Sequence, residues 1–240
     1  MDRAAPQVFV FPNLPLSWES AVLPVDKPTG VSSFGVIRRL RRLIGVRKIG
    51  HAGTLDPLAT GLLIMLVGRA TRSMEEFMGQ DKQYVGTIRL GEVTPSFDSD
   101  TQVTERIDAS RVTDLDLETA TGPFIGTIIQ QTPIYSAVKM GGERLYKKAR
   151  RGEAATPPPR IVTIPRFEIT GRRGDDVDFL VDCSKGTYVR SIAHEIGAAL
   201  GVGGHLVALR RTAIGPIRVE AAWTLEALAD RMAVAAEGEA

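Results

Sequence analysis

The sequence predicts an α+β fold with a mixed, mainly antiparallel sheet and flanking helices. Short apolar runs, one of them strictly alternating, recur along the 240 residues and are typical of strands. Helical patterns fall between them irregularly, which favours an α+β arrangement over a regular strand-helix repeat. The chain has neither a dinucleotide glycine fingerprint nor a Walker loop, so no nucleotide cofactor is expected.

The elements of the first half follow from apolar spacing and turn residues. A turn over 27–30 precedes a helix capped by Ser32 or Ser33, with apolar residues at helical spacing from Phe34 to Ile44. A glycine-rich segment then fills positions 50–61. The other elements expected here are strands Val22–Asp26, Leu62–Val67 and Tyr84–Leu90, and a helix from about Arg69 to Met78.

The second half begins with the acidic stretch Asp98–Glu118, which is expected to be a loop leading into a helix. Strands are expected at Ile125–Ile129, Ile161–Ile164, Phe167–Thr170, Val177–Cys183, His205–Thr212 and Ile217–Val219. The strand Val177–Cys183 alternates apolar and polar residues, as a half-buried strand does. A helix over about 188–200 and a C-terminal helix from Leu225 complete the prediction.

Composition excludes several classes of protein. The chain is 43% hydrophobic and 24% charged, which is ordinary for a globular protein with a core. One cysteine and three dispersed histidines argue against a disulfide framework, a zinc site or any other metal site. No apolar run is long enough to span a membrane, and the N-terminus lacks a secretory signal. We expect a cytoplasmic protein that needs neither a metal nor a cofactor.

The charge distribution is informative although the net charge is only +2. Six basic residues and no acidic one lie between Phe34 and Gly50, and six more lie between Lys139 and Arg151 beside Glu143 alone. The stretch 98–118 is acidic instead. This asymmetry suits a protein that binds a polyanion on one face. The alternative is a solvated helix face together with a polar loop.

Asp56 is the candidate reactive group. It precedes Pro57, and an Asp-Pro pair is first of all a helix-start signal. Two features favour a functional carboxylate instead: glycines at 50, 53 and 61 allow backbone to approach a bulky ligand, and His51 and an arginine-rich helix lie nearby in sequence. Both interpretations of Asp56 remain open on these grounds.

Several motifs then resemble one family in order along the chain. Residues 50–61, GHAGTLDPLATG, resemble the catalytic motif of the TruB family of tRNA pseudouridine-55 synthases. The other matching segments are LPVDKPTG at 23–30, DKQY at 81–84, PIYSAVK at 133–139 with RLY at 144–146, CSKGTYVR at 183–190 and LRR at 209–211. They cover most of the chain from Leu23 to Thr224, and the resemblance implies the pseudouridine synthase fold.

The resemblance implies roles for individual residues. Asp56 is the essential carboxylate, Tyr84 stacks on the target base and is a candidate proton acceptor, and Arg190 pairs with Asp56. Leu209 walls the pocket, and His51 inserts into the T loop. The remaining residues implied to contact RNA are Lys27, Asp98, Lys139 and Arg144. The implied partner is the T stem-loop of tRNA, without a guide RNA and with the protein as a monomer.

Each implied role has a simpler alternative. Tyr84 alone is a strand aromatic, Arg190 a surface ion-pair partner and His51 a polar loop residue. Cys183 ends a strand pattern with no histidine base beside it, which indicates a buried structural thiol.

The chemistry of the reaction agrees with these residue types. Breaking the N1–C1′ bond of uridine develops positive charge on the sugar, so an ionised carboxylate nearby is appropriate. A neighbouring arginine favours the ionised form. The uridine must also be extruded from its loop, and His51 and Tyr84 suit the replacement of lost stacking. The sequence leaves open whether Asp56 attacks C1′ or removes a sugar proton.

The predicted organisation is an N-terminal extension over 1–20, a catalytic domain over 21–228 with an RNA-gripping insertion at about 132–160, and a C-terminal tail over 229–240. A C-terminal RNA-binding domain is expected to be missing, and Thr94-Pro95-Ser96 departs from the family pattern near Asp98. Two alternatives remain: a guide-RNA-dependent synthase of the dyskerin type, and an RNA-binding or tRNA-folding module without essential catalysis.

Overall fold

The computed structural model describes residues 7–238 and divides the chain into two compact units. One unit is formed by Met1–Tyr84 together with Leu209–Ala240, and the other by Val85–Ala208. The strands are β1 Ser20–Lys27, β2 Ile49–Ala52, β3 Thr60–Gly68, β4 Lys82–Leu90, β5 Glu92–Val93, β6 Glu105–Arg106, β7 Gly126–Gln130, β8 Lys139–Met140, β9 Glu143–Arg144, β10 Arg160–Ile164, β11 Arg166–Arg173, β12 Asp176–Cys183, β13 Gly204–Ile214 and β14 Ile217–Arg218.

Six α-helices accompany the strands in the described residues. They are α1 Ser33–Ile44, α2 Met74–Gly79, α3 Asp114–Thr121, α4 Leu145–Arg150, α5 Val189–Ala199 and α6 Leu225–Gly238. Short 3-10 turns cover Arg69–Ser73, Gly122–Phe124 and Val219–Ala221. None of the helices in the described residues is long and apolar enough to cross a membrane.

The first unit is a sheet in strand order β1, β3, β13, β4. Strand β1 runs antiparallel to β3 over eight residue pairs, and β2 pairs with β3 in the same sense. Strand β13 runs parallel to β3, where Arg211 lies opposite Gly61. The core on one side of this sheet contains Val22, Ala52, Leu62, Ile64, Leu66, Ala70, Phe77, Ile214, Val219 and Ala222.

The second unit contains β11 and β12 as an antiparallel pair, with β4 beside β12. Strands β4 and β13 each begin in one unit and end in the other. Strand β12 alternates strictly between half-buried and buried residues, as the sequence predicts. Three short antiparallel pairs complete the unit: β7 with β10, β5 with β6, and β8 with β9. The predicted mixed, mainly antiparallel α+β fold is confirmed.

Helix α1 has the predicted N-cap, and its buried face agrees with the prediction except at Phe34. Ser32 is the N-cap and its Oγ accepts a hydrogen bond from the Gly35 N–H at 3.0 Å. The apolar residues Ile37, Leu40 and Ile44 are buried as predicted. Phe34, which the same pattern assigns to the apolar face, is 56% exposed, because it lies in the first turn on the side away from the core.

The N-terminal extension forms part of the first unit from residue 7 onward. The N–H of Phe9 donates to the carbonyl of Val22 at 2.8 Å, and the N–H of Phe11 donates to Ala221 O at 3.0 Å. The ring of Phe11 lies edge-on to Trp223, with centroids 5.0 Å apart. This segment therefore joins β1 to the residues before α6. The first six residues of the predicted extension lie outside the described part of the chain.

We expect Gly61→Ala to destabilise the protein severely. Gly61 has φ +96°, and a Cβ there would lie 2.3 Å from the Arg211 carbonyl oxygen. Gly45, which ends α1 at φ +69°, has no atom within 4 Å of such a Cβ. Urea unfolding should give a loss of at least about 3 kcal/mol for Gly61→Ala but about 1 kcal/mol for Gly45→Ala. Equal losses would contradict the proposed backbone contact.

Candidate active site

The loop between β2 and β3 carries Asp56 in a turn. The N–H of Ala59 donates to the Asp56 carbonyl at 3.1 Å, and residues 53–59 contain no helix. The interpretation of Asp56 and Pro57 as a helix start is therefore wrong. The Asp56 residue is half-buried, so it lies at the boundary of the unit and not within its core.

Helix α1 fixes the residue before Asp56. The Ser33 Oγ donates to the Leu55 carbonyl at 3.0 Å and accepts from the Leu55 N–H at 2.9 Å. Both Ser33 and Leu55 are buried. Because one hydroxyl satisfies both backbone groups of Leu55, it sets the direction in which the chain enters Asp56. The sequence indicates Ser33 only as a possible cap, and this second role is not predicted.

Lys27 holds the residue that follows Asp56. Its Nζ donates to the carbonyls of Val31 at 2.6 Å, Pro28 at 3.0 Å and Pro57 at 3.3 Å, and the residue is 0% exposed. Burial lowers the pKa of Lys27 to about 8, although the charge of Asp56 acts in the opposite direction. These contacts are those of a positioning residue, and the predicted contact of Lys27 with RNA has no support in this geometry.

Arg211 connects the loop to two strands of the first unit. Its guanidinium donates to Leu62 O at 2.7 Å, Gly53 O at 3.0 Å and the Tyr84 hydroxyl at 3.4 Å. Arg211 is 1% exposed. Gly53 has φ +90°, and a Cβ there would lie 3.4 Å from the guanidinium. With Lys27, Arg211 is the second buried cation near this loop, and such charges stabilise an ionised carboxylate.

His51 and Tyr84 also belong to this unit, as does Leu209. His51 lies on β2 and is half-buried; burial, and secondly the charge of Arg211, lower its imidazole pKa below 6.5. Its Nδ1 is buried without a hydrogen-bond partner among the described residues. Tyr84 lies on β4 and is 8% exposed. Leu209 on β13 is half-buried.

Arg190 forms a buried contact in the second unit. It lies in the first turn of α5, is 7% exposed and reaches Asp98 with 3.4 Å between Nη1 and Oδ2. Its Nη2 also donates to the carbonyl of Tyr135. The alternative of a surface ion-pair partner is therefore wrong. The predicted pairing of Arg190 with Asp56 stays a prediction.

Asp98, like Arg190, is buried and has further hydrogen bonds. It is 1% exposed, and its Oδ1 accepts from Ser96 Oγ at 2.6 Å and from the Asp100 N–H at 3.0 Å. The Thr94 hydroxyl donates to the Asp98 carbonyl at 2.8 Å. This geometry supports a positioning role for the carboxylate and gives no support to direct contact with RNA, which stays a prediction. The departure at Thr94-Pro95-Ser96 keeps both hydroxyls that hold Asp98.

A stack of two rings lies next to the Arg190–Asp98 pair. Phe97, which precedes Asp98, stacks on His194 with centroids 3.9 Å apart. His194 lies four residues after Arg190 on α5, so the two side chains are on one face of the helix. Phe97 has φ +66°, which is unusual for a residue with a side chain. Two consecutive residues thus dock on one helix face, an arrangement that the sequence does not reveal.

The predicted RNA-gripping segment contains a β-hairpin and a short helix. Lys139 and Arg144 are exposed and lie directly opposite each other across β8 and β9. Like charges at such positions repel. Glu143, the acidic residue of the hairpin, is paired with Arg151 through two hydrogen bonds, so it does not neutralise this pair.

Cys183 ends β12 and is 1% exposed, so the predicted burial of its thiol is confirmed. Arg211 is one of the residues near the site that sequence reasoning missed. Successive residues of a strand point to opposite faces, so the pair Arg210-Arg211 on a half-buried strand predicts that one arginine faces inward.

Two family models together match most of the chain. Residues 41–189 match the N-terminal domain of TruB family pseudouridylate synthases, and residues 190–240 match the C-terminal domain of tRNA pseudouridylate synthase B. These matches place the chain in the class of pseudouridylate synthases. The two matches meet at residue 189, and the predicted division into a domain over 21–228 and a tail over 229–240 stays a prediction.

The names of individual proteins that are similar to this chain agree with this class. The tRNA pseudouridine synthase B of Paenarthrobacter aurescens is 46% identical over 221 residues, which is 90% of this chain and 71% of that protein. The same enzyme of Opitutus terrae is 46% identical, with 86% of each chain covered. The chain belongs to the TruB family of pseudouridylate synthases and is an isomerase.

Solved structures support the fold. A Cbf5 chain in a Cbf5-Nop10-Gar1 complex is 30% identical, with a TM-score of 0.71 over 96% of this chain and 60% of that chain. A chain of an H/ACA RNP bound to a substrate RNA has the same TM-score at 26% identity, with 62% of that chain covered. The present chain thus spans about three fifths of these structural neighbours.

Lys27 predicts a pH dependence of stability. Unfolded lysine keeps its proton up to about pH 10.5, whereas the folded Lys27 amine loses it at about 8. Between these values the unfolded state binds more protons, so the free energy of unfolding rises with pH. The difference in free energy of unfolding between the wild type and Lys27→Met should rise by up to about 3 kcal/mol between pH 8 and pH 10.5. Urea unfolding at several pH values measures this difference. A constant or falling difference would contradict the lowered pKa.

Proposed function

We propose that this chain isomerises uridine 55 in the T loop of tRNA to pseudouridine, without a guide RNA and with Asp56 as the essential carboxylate. The observation that carries the proposal is the half-buried Asp56 turn, held at Leu55 by Ser33 and at Pro57 by Lys27. The names of relatives at 46% identity support tRNA as the substrate. The Cbf5 chain of the Cbf5-Nop10-Gar1 complex is more distant, at 30% identity. That the protein acts as a monomer and in the cytoplasm stays a prediction.

The reaction requires a carboxylate in a fixed place. The N1–C1′ bond breaks, the uracil turns, C5 bonds to C1′ and the C5 proton leaves. Positive charge develops on the sugar as the first bond breaks, and an ionised Asp56 would stabilise it or take part in bond formation at C1′. Removal of a sugar proton by Asp56 is the alternative that the geometry leaves open. A loop fixed on both sides of Asp56 keeps the carboxylate aimed at the sugar.

The target uridine must leave its stack to reach Asp56, at a cost of a few kcal/mol. We assign His51 to the space that the extruded nucleotide leaves. Its pKa is lowered, so the imidazole is neutral at pH 7 and can pack against bases without a charge. Tyr84 would stack on the flipped uracil, and its hydroxyl is a candidate acceptor for the final proton. Leu209 would close the pocket beside it.

Arg190 would hold Asp56 in its ionised form. Its guanidinium is oriented by Asp98 and by the Tyr135 carbonyl, and the stacked Phe97 keeps Asp98 in register. Lys139 and Arg144 would grip the backbone of the T stem, because a phosphate between two facing cations removes their repulsion. The insertion over about 132–160 would then act as the RNA-gripping part.

The decisive test is release of tritium from tRNA transcripts labelled at uracil C5. We expect release by the wild type and none by Asp56→Asn, which keeps the shape of the side chain and removes its charge. Replacing the T-loop uridine with cytidine should abolish release at that position. Binding of tRNA by Asp56→Asn, measured by filter retention, shows that the variant is folded.

The other outcomes of the tritium-release test would favour different functions or a different role for Asp56. Clear tRNA binding without release by the wild type would favour the guide-dependent alternative or a binding module. Release that persists in Asp56→Asn would contradict the role of the carboxylate. If Asp56→Asn lost release but still refolded tRNA, a folding role would exist beside the catalytic one.

Arg190→Lys should lose most of the activity while tRNA binding is kept. One ammonium cannot replace the guanidinium that serves Asp98 and Tyr135 together. We expect a fall of about 100-fold or more in the single-turnover rate at saturating tRNA, corresponding to about 2.7 kcal/mol or more in barrier height.

Arg89→Lys is the matched control for Arg190→Lys. Arg89 is likewise an arginine of the second unit paired with a carboxylate, through two hydrogen bonds of 2.7 and 2.8 Å to Asp176, but it has no assigned role in the reaction. It should leave the rate within about twofold of the wild type. Near-normal turnover by Arg190→Lys would rule out the proposed role of its guanidinium.

A further inference from the structure

The outer side of α1 and the turn after it form a surface that the reaction itself does not use. Six cations lie there, all exposed, and the chain has no acidic residue between Asp26 and Asp56. We call these six residues the basic face: Arg38, Arg39, Arg41, Arg42, Arg47 and Lys48.

Among residues 7–234, the part of the chain whose side chains the structure describes, no salt bridge neutralises any of the six cations of the basic face. Exposed arginines elsewhere do find partners: Arg69 pairs with Glu19, Arg166 with Glu168 and Arg173 with Asp178. Single exposed arginines such as Arg72 and Arg111 also have no ion pair among the described residues, so the basic face differs in that six exposed cations lie together.

The arrangement on α1 is also repulsive. Arg38 lies three and four residues before Arg41 and Arg42, and Arg39 lies three before Arg42, so like charges are neighbours on the helix surface. The negative C-terminal end of the helix accounts for Arg41 and Arg42 in the last turn. It does not account for Arg38 and Arg39, or for the two cations that follow Gly45. Such a surface is typical of proteins that bind a polyanion.

An exposed aromatic ring narrows the class of polyanion. Phe34 is 56% exposed and lies four residues before Arg38 on the same side of α1. The Arg41 guanidinium lies 6.0 Å from the centre of the ring. Cations combined with an accessible ring fit a nucleic acid, which offers phosphates together with flat bases and sugars. A purely acidic peptide would give the ring no partner.

The basic face is tied to the Asp56 loop within the same unit. Helix α1 carries the face on its outer side and holds Leu55 through Ser33 in its first turn. The face ends at Lys48, three residues before His51. An RNA backbone held on α1 would therefore keep a fixed position relative to the loop that carries the essential carboxylate.

We propose that the basic face binds the sugar–phosphate backbone of the RNA stem that adjoins the target loop, with Phe34 packed against a base or sugar at its edge. The inference rests on the proposed function, since it takes the substrate RNA as the occupant. It assigns to α1 a share of affinity that depends on salt and not on base sequence.

The test removes three charges from the basic face and three from elsewhere in the same unit. One variant is Arg38→Gln/Arg41→Gln/Arg42→Gln. Its matched control is Arg72→Gln/Arg218→Gln/Arg231→Gln, which loses the same charge at three exposed positions outside the face. Both sets are built in the Asp56→Asn background, so that tRNA binding is measured whether or not the chain isomerises uridine. Filter binding over 50–300 mM KCl gives the salt slope.

We expect the first variant to bind tRNA about tenfold or more weakly, with a slope of log K against log [salt] smaller by about 2 to 3, since each duplex phosphate contact contributes about 0.9. The control variant should keep both the affinity and the slope. Without RNA, the first variant should have a higher melting temperature than the Asp56→Asn parent, because its like-charge neighbours are gone; the control should not.

Two results would overturn the proposal. An unchanged slope and affinity in the first variant means that the face does not contact RNA. Equal losses in both variants mean that overall charge, and not this surface, governs binding. The proposed function fails separately: absence of tritium release by the wild type, with the slope difference intact, leaves the surface standing and removes the reaction.

Discussion

A buried guanidinium is unfavourable unless its N–H groups find acceptors, and in the first unit this condition fixes the backbone around Arg211. Its acceptors are Leu62 O on β3, Gly53 O in the Asp56 loop and the Tyr84 hydroxyl on β4. Gly61 allows the close approach of β3 and β13 at this point. A single side chain thus spaces two strands and the Asp56 loop, so the placement of Asp56 depends on it.

In the second unit, too, buried charged groups have partners, here in an ion pair. Arg190 and Asp98 are both almost fully inaccessible, and each has further hydrogen bonds beyond their own contact. Buried charges that are paired and hydrogen-bonded are costly to separate. The stack of Phe97 on His194 adds an apolar constraint next to the pair, which restricts the loop over 94–98 to one orientation on α5.

Most of the fold was predictable because apolar spacing reports burial directly. The strands around Leu62–Val67 and Val177–Cys183 and the helix ending at Ile44 follow from period and caps alone. The sequence does not predict β2 or the two-residue strands such as β8, since so few residues carry no period. Asp56 was found through its glycines and its family motif. Ser33, Arg211 and Phe97 were missed because their partners are distant in sequence, and only the folded chain brings them together.

The outer edge of β1 is covered by two short pieces of chain. Phe9 hydrogen-bonds to Val22, and farther along the strand Trp223 accepts from the Asp26 N–H at 2.8 Å and donates to the Pro24 carbonyl at 2.9 Å. An uncovered edge strand offers its free N–H and C=O groups to another molecule. Residues 7–11 thus protect the protein from edge-to-edge aggregation, and an expression design that trims them would expose both a strand edge and an indole.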